Sequence, residues 1–368
     1  QLGIAVVDND DVTITIGQPE VGDWDDVVCS VEVTNNSKEL LHVYPMAVAV
    51  NGKMVSGYFS VDVEKNRTET DKLEFYELKG PENLTRLSLL LNVADEEYNC
   101  TGYLLDIYPQ GRKAHKESVP GRAGVDVLFD QGGLYMGITA WTFSDNFSPQ
   151  LQYLAFNDSD QDFSLEALAI NGFNVVDYSS NTILPDTYAD QYIDLFSHDD
   201  LCALGMEQNK ITSVLMEICV ENMDLERLYC ERVTLYPKGE KNAQTFAYTP
   251  DKKDVVVLET DLFRLLQVSC GEDYWGSTVV MFVVENKTQG TIEVYGSGGK
   301  LNGKDADFIY LSGSTKDGRD GYILCELSKS YLEKAGITDV TSMELTIKVR
   351  DEDYNKLCEE TVKFNIKK

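Results

Sequence analysis

The sequence predicts an all-β protein: three tandem immunoglobulin-like β-sandwich domains, each with one short helix. Three observations carry that reading. An Asn-Gly pair follows an apolar strand three times, at Asn51-Gly52, Asn171-Gly172 and Asn302-Gly303. An alternating apolar strand recurs in step behind each pair. The chain, at 368 residues, is also too long for one ordinary core.

Two strands joined by Asn-Gly read as a hairpin with a type I′ turn, whose central residues both need positive φ. In front of each pair an apolar strand ends in a polar break: "VEVTNNS", "LAFNDS" and "VVENKT". Behind each pair come "LTRLSLLLNV", "ITSVLMEICV" and "VTSMELTIKV", which align without a gap at Thr85, Thr212 and Thr341. Their alternate positions (Leu87, Leu89, Leu91; Val214, Met216, Ile218; Met343, Leu345, Ile347) are apolar, the mark of a half-buried strand. Acidic turns follow in "DEEYN" and "DEDYN", and closing strands end in "IYP", "LYP" and "VKFNI". The repeats place units at 1–109, 125–237 and 254–368, joined by linkers 110–124 and 238–253. Seven or so short strands in each fit a sandwich. A short helix is expected before the alternating strand, from Ser197 and Asp200 in capping-box spacing and from "LSKSYLEKAGI" ending at Gly336. The first linker holds Arg112, Lys113, Lys116 and Arg122, a basic stretch that reads as solvated chain, with docking on the neighbouring acidic domain as the competing reading.

Composition narrows the function classes. Thirty-two basic residues face 62 acidic ones, a formal charge of −30, so a surface that attracts a phosphate backbone is disfavoured and no nucleic acid is expected. No stretch approaches the roughly 20 apolar residues that cross a bilayer, so no membrane insertion within the chain is expected. The chain opens at Gln1 without a leader, which reads as a truncated or processed product, any export signal lying upstream. Eight cysteines form no CxxC pair and read mostly as small buried hydrophobes. Cys219 and Cys230 could pair across a hairpin centred near Asp224. Seven N-x-S/T sequons begin at Asn35, Asn66, Asn83, Asn99, Asn146, Asn157 and Asn286.

Catalytic constellations are missing from the pattern. His42, His115 and His198 stand in no HExxH or HxH spacing, and no GxSxG elbow accompanies them. Asp158, Asp160 and Asp162 occupy EF-hand positions 1, 3 and 5, but Phe163 and Ala169 replace the required Gly and Glu. Calcium at acidic turns near domain ends is a weaker reading than turn carboxylates bonding their own backbone. No catalytic, cofactor or metal residues are assigned. Candidate binding aromatics are Trp24, Trp141 and Trp275, at a similar early place in each unit, with a shared packing role as the competing reading.

The residues "TNNS", "VNG", "ENK", "LNG", "LEKAGI" and "RDEDYN" give the chain a family likeness. It resembles immunoglobulin-like extracellular repeat modules of predicted lipoproteins and surface proteins from Gram-positive gut bacteria, largely clostridial Firmicutes. The resemblance implies an immunoglobulin-like fold and an envelope location, with an anchor upstream, and no functional residues. The expected function is a non-enzymatic cell-envelope spacer, adhesion or protein-binding arm with a protein or glycan partner at the cell surface. Alternatives are a carbohydrate-binding array using exposed aromatics, and a hydrolase with paired carboxylates at a domain junction. The expectation throughout is that each unit buries its faces separately.

Overall fold

The computed structural model describes residues 4–97, 99–115, 119–122, 125–143, 149–175, 181–194, 203–206, 210–221, 227–273 and 276–367. Nearly every element is a strand. The first unit contains β1 (Ile4–Asp8), β2 (Val12–Ile16), β3 (Glu20–Val21), β4 (Val27–Asn35), β5 (Leu41–Val50), β6 (Lys53–Val55), β7 (Val61–Val63), β8 (Thr68–Phe75), β9 (Leu87–Ala94) and β10 (Cys100–Ile107). The second contains β11 (Asp126–Gln131), β12 (Leu134–Phe143), β13 (Pro149–Asn157), β14 (Asp162–Ile170), β15 (Phe173–Asn174), β16 (Asn181–Ile183), β17 (Thr187–Asp194), β18 (Val214–Glu221) and β19 (Arg227–Leu235). The third contains β20 (Val255–Glu259), β21 (Phe263–Glu272), β22 (Thr278–Asn286), β23 (Ile292–Leu301), β24 (Lys304–Asp305), β25 (Tyr310–Thr315), β26 (Gly321–Leu327), α1 (Lys329–Lys334), β27 (Ser342–Asp351) and β28 (Lys356–Asn365).

The repeat is structural as well as sequential. In the first unit β1, β2, β4 and β8 form one sheet, and β7, β5, β9 and β10 lie in the other. The same pairing order recurs in β11, β12, β13, β17 against β16, β14, β18, β19, and in β20, β21, β22, β26 against β25, β23, β27, β28. The alternating strands point as expected: Leu87, Leu89 and Leu91 are fully buried, as are Val214 and Met216, and Met343, Leu345 and Ile347. A helix stands where expected in the third unit, ending at Gly336 with φ +64°. The first unit has only a 3₁₀ turn there, Pro81–Asn83. In the second unit Ala203 and Leu204 are helical, while Ser197 and Asp200 lie outside the described residues.

Each Asn-Gly pair forms the expected turn, with φ +54° and +84° at Asn51-Gly52, +48° and +78° at Asn171-Gly172, and +53° and +79° at Asn302-Gly303. The asparagine does more than turn the chain. Asn51 Oδ1 accepts from Thr85 N, Thr85 Oγ1 and Arg86 N, and its Nδ2 donates to Asn83 O. Asn171 repeats this with Thr212, Ser213 and Lys210 O. Asn302 repeats it with Thr341, Ser342 and Asp339 O. The clamp fixes where the alternating strand begins, which is why Thr85, Thr212 and Thr341 align without a gap. A second recurrent asparagine closes the preceding corner. Asn35, Asn157 and Asn286 each donate Nδ2 to two acceptors across the corner and accept the N–H two residues on. These three sequon asparagines are therefore structural.

The units do not bury their faces separately. After its turn each hairpin strand has one edge paired within its own unit and one edge open. The open edge of β6 pairs in parallel with β17 of the next unit, Lys53 opposite Tyr188, and Tyr188 N donates to Gly52 O at 2.8 Å. β15 does the same with β26, Asn174 opposite Gly321, and Asn174 N donates to Asp320 O at 2.8 Å. Two nine-stranded sheets thus run through the joints, flanked by a five-stranded sheet at either end. The middle core follows suit, gathering Ala47, Ala49 and Leu90 from the first unit and Leu266, Met281 and Val283 from the third. The physical reason is an open edge plus an apolar outer face, both of which need cover.

Both linkers are anchored at a few points, while most of their described residues stay exposed. Arg122 lies over the rings of Tyr135 and Phe156, 4.8 and 4.7 Å from their centroids, and pairs with Asp158 at 2.7 Å. His115 Nδ1 lies 3.0 Å from the Thr85 hydroxyl. In the second linker Gln244 N donates to the equivalent Thr212 hydroxyl, and Phe246 N donates to Asn171 O.

Replacing the buried Asn171 by Ala removes four side-chain hydrogen bonds and leaves a non-glycine residue at positive φ. We expect a loss of about 3 kcal/mol in urea unfolding, and about half that at exposed Asn302, where water takes over the partners. Equal costs at the two sites would contradict the clamp.

Candidate functional site

The first joint opens a cleft of about 640 Å³ beside the Asn51 clamp, a size that suits a small ligand. Val50, Phe75 and Leu78 supply apolar lining, Lys53 a cation, and Tyr76 and Tyr188 aromatic rings. Tyr76 is 63% exposed. Its hydroxyl donates to Glu74, which raises the phenol's pKa through that bond and the neighbouring charge. The end of β8 brings Tyr76 to the cleft, and the parallel β6–β17 pairing brings Tyr188. The cleft thus exists because the units share a sheet.

A second cleft of about 510 Å³ holds Arg86, Asp106, Asp158, Asp160 and Asp186. Arg86, only 4% exposed, grips both oxygens of Asp106 at 2.9 and 3.1 Å and donates to Asp186 O of the next unit at 3.0 Å. Ser88 Oγ also donates to Asp106, at 2.6 Å. Two of the four aspartates are thereby taken up in holding the joint, Asp106 by Arg86 and Asp158 by Arg122.

The candidate tryptophans are not brought together. Trp24 is 81% exposed in the loop before β4, and its carbonyl accepts from Lys79 Nζ. Trp141 sits half-buried on β12 and lines a cleft of about 350 Å³ with Leu235 and Tyr236, between edges of the two middle sheets. Trp275 lies outside the described residues. A shared packing role is therefore corrected at Trp24, whose loop extends past the core. The acidic turns bond themselves, as expected. Asp95 accepts the N–H groups of Glu97 and Asn99, and Asp351 those of Asp353 and Asn355. Hydrogen bonds from Asn99 and Asn355 hold both carboxyls below the usual range.

Cys219 and Cys230 form the disulfide that the hairpin reading offered, directly opposite each other across β18 and β19. Cys29 and Cys325 are buried thiols, both pushed up to about 12, chiefly by desolvation. On the disulfide's face lies a charge network that sequence reasoning missed. Glu217 is held by Arg227 and Arg232, and Arg232 continues to Asp317 of the third unit. Lys316 reaches back to Glu166 at 3.7 Å. Glu217 faces Arg232 in the same register that pairs the two cysteines, so that pair is within reach of the hairpin reading, whereas the Asp317 and Lys316 contacts meet only when the joint forms.

Asp162, opposite Glu221 in the ladder, is 2% exposed. Among the described residues neither of its oxygens has a hydrogen-bond partner. Burial, and secondarily the Glu221 charge, push its carboxyl up to about 6 from 3.8. The folded chain therefore holds an extra proton between those values, and stability falls as pH rises through the window, by up to about 3 kcal/mol. Asp162→Asn should flatten that part of the urea-unfolding profile and raise stability at pH 7. An unchanged slope between pH 4 and 6 would refute the assignment.

No protein-family model matches the chain, and no curated protein matches it. Among solved structures it is similar to a red sea bream transglutaminase, at 12% identity and a TM-score of 0.19, covering 62% of this chain and 31% of that one. It is also similar to the exo-chitosanase CsxA of Amycolatopsis orientalis, at 7% identity and 0.21, over 95% and 79% of the two chains. A third likeness is to the BSP domain of a biofilm associated protein, at 8% and 0.16, over 100% and 83%. The chain spans less than a third of the transglutaminase, and likenesses at these scores carry no argument about function.

Proposed function

We propose that the chain is a non-enzymatic cell-envelope protein, a stiff β arm that carries a binding surface for a protein or glycan partner outside the cell. The observation that carries this reading is that one nine-stranded sheet runs through each joint, which restrains the hinge a free linker would provide. Its accessible surface supports an extended body: 18863 Å², against about 14,700 Å² for a compact monomer of this mass. The envelope location rests on the resemblance carried by "TNNS", "VNG" and "RDEDYN". A second reading, binding of a small amphipathic ligand such as a sugar, is favoured by the cleft with Tyr76 and Tyr188.

Solution scattering tests the arm. A compact chain of this length has a radius of gyration of about 21 Å; we expect a clearly larger value, unchanged between low and high salt. A value at or below that figure would sink the proposal. Gly321 supplies the matching perturbation, since a Cβ there would stand 2.7 Å from Asn174 Cβ and 3.0 Å from Asn174 O. Gly321→Val should pry β15 from β26 and expose 238–253 to limited proteolysis several-fold faster. Unaltered cleavage would mean that this pairing does not stiffen the joint.

A further inference from the structure

We propose that the Cys219–Cys230 pair is a reducible site that, once opened, takes up a divalent transition-metal ion of the zinc class together with Glu217. The two sulfurs stand on neighbouring strands at the same rung. Glu217 lies two residues before Cys219 on the same face. Its carboxylate and both sulfurs lie within 4.8 Å of one another, and among the described residues no other three such groups converge so closely. The sulfurs are bonded to each other; once reduced they can part to the roughly 3.8 Å that two thiolates span on a tetrahedral zinc ion, with the carboxylate and a water completing the site. Glu217 and Cys219 are 6% and 2% exposed, so the three groups are gathered in a partly desolvated place before the disulfide opens.

The fold alone does not dictate this trio. At the equivalent rungs the first unit places Leu90 opposite Leu104 and Asn92 opposite Gly102. The third places Thr346 opposite Thr361 and Lys348 opposite Glu359, the latter ion-paired at 3.7 Å. Only the second unit sets donors of metal-binding chemistry there.

Opening the site needs two electrons from a dithiol. Its thiolate attacks the sulfur of Cys230, the exposed and more accessible of the two residues. The S–S bond breaks with its electron pair on Cys219 Sγ, which takes a proton. The reductant's second thiol then displaces Cys230, and the reductant leaves as a cyclic disulfide. Metal binding releases the two thiol protons. The incoming cation competes with Arg227 and Arg232 for Glu217, while Arg232 keeps Asp317.

The test uses the whole chain with cobalt(II) chloride as the probe, after anaerobic reduction with a water-soluble phosphine, which leaves as its oxide with oxygen from water. We expect one cobalt per reduced chain, with a thiolate charge-transfer band and four-coordinate visible bands. The oxidised chain should give neither. Glu217→Gln should weaken uptake about tenfold or more, and C219S/C230S should abolish the charge-transfer band. A reduced chain without that band, a band that persists in C219S/C230S, or an unchanged affinity in Glu217→Gln would each overturn the proposal. Comparing oxidised with reduced wild-type chain keeps the test decisive if a variant fails to fold. It is independent of the arm reading.

Discussion

One side chain per unit, the asparagine of each Asn-Gly turn, fixes both the hairpin and the point where the alternating strand starts. Its carbonyl takes three hydrogens from the Thr-Arg or Thr-Ser step that opens that strand, and its amide gives one back. The turn cannot drift in register without breaking all four bonds, and a one-residue slip would turn every core side chain of the strand outward. Register at the strand fixes the sandwich, and the hairpin strand that leaves the clamp is the one whose open edge meets the next unit. A local hydrogen-bonding device thus reaches as far as the assembly of the whole chain.

From that common frame the three units diverge on the outer face of the second sheet. In the first unit this face is apolar, with Leu90 at no exposure and Ala49 beside it in the middle core. In the second it carries the disulfide and the Glu217–Arg232–Asp317 chain. In the third it is polar, with Lys348 exposed and Glu344 paired to Lys363. At the other end Ser30 and Glu32 of β4 are exposed, where the third unit has buried Met281 and Val283. Polar terminal faces are what stacked repeats use to stop an apolar interface from propagating.

The sequence made the repeat, the turns and the inward faces readable because each is a local signal: positive φ, period two, a gap-free match. Asn51-Gly52 and the Leu87–Leu91 alternation needed nothing beyond their own neighbours. The joints were not readable. Lys53 opposite Tyr188 is a contact across more than a hundred residues, and a three-residue strand has no periodicity. Trp24, Trp141 and Trp275 occupy similar places in the chain, yet position along a loop does not determine burial, and Trp24 projects into solvent. Arg122 reads as part of a solvated linker because its partner Asp158 lies in the next unit, and Arg86 reaches the Asp186 carbonyl only once the joint has formed. The same holds for Asp162, whose isolation depends on what covers it.

The charge imbalance gives those cations their importance. With 62 acidic residues against 32 basic ones, units pressed together would repel across every interface. The structure places basic residues at the joints: Arg86 and Arg122 at the first, Arg232 and Lys316 at the second. Exposed pairs of this kind are individually worth little. Arg86 differs, since it is buried and holds a carboxylate bidentately while also reaching a backbone carbonyl, although its partner Asp106 stays 38% exposed. The first joint therefore combines an apolar face with a buried arginine gripping a partly exposed carboxylate, whereas the polar contacts of the second include several half-exposed charges that salt can screen. Any residual bending of the arm should concentrate at the second joint.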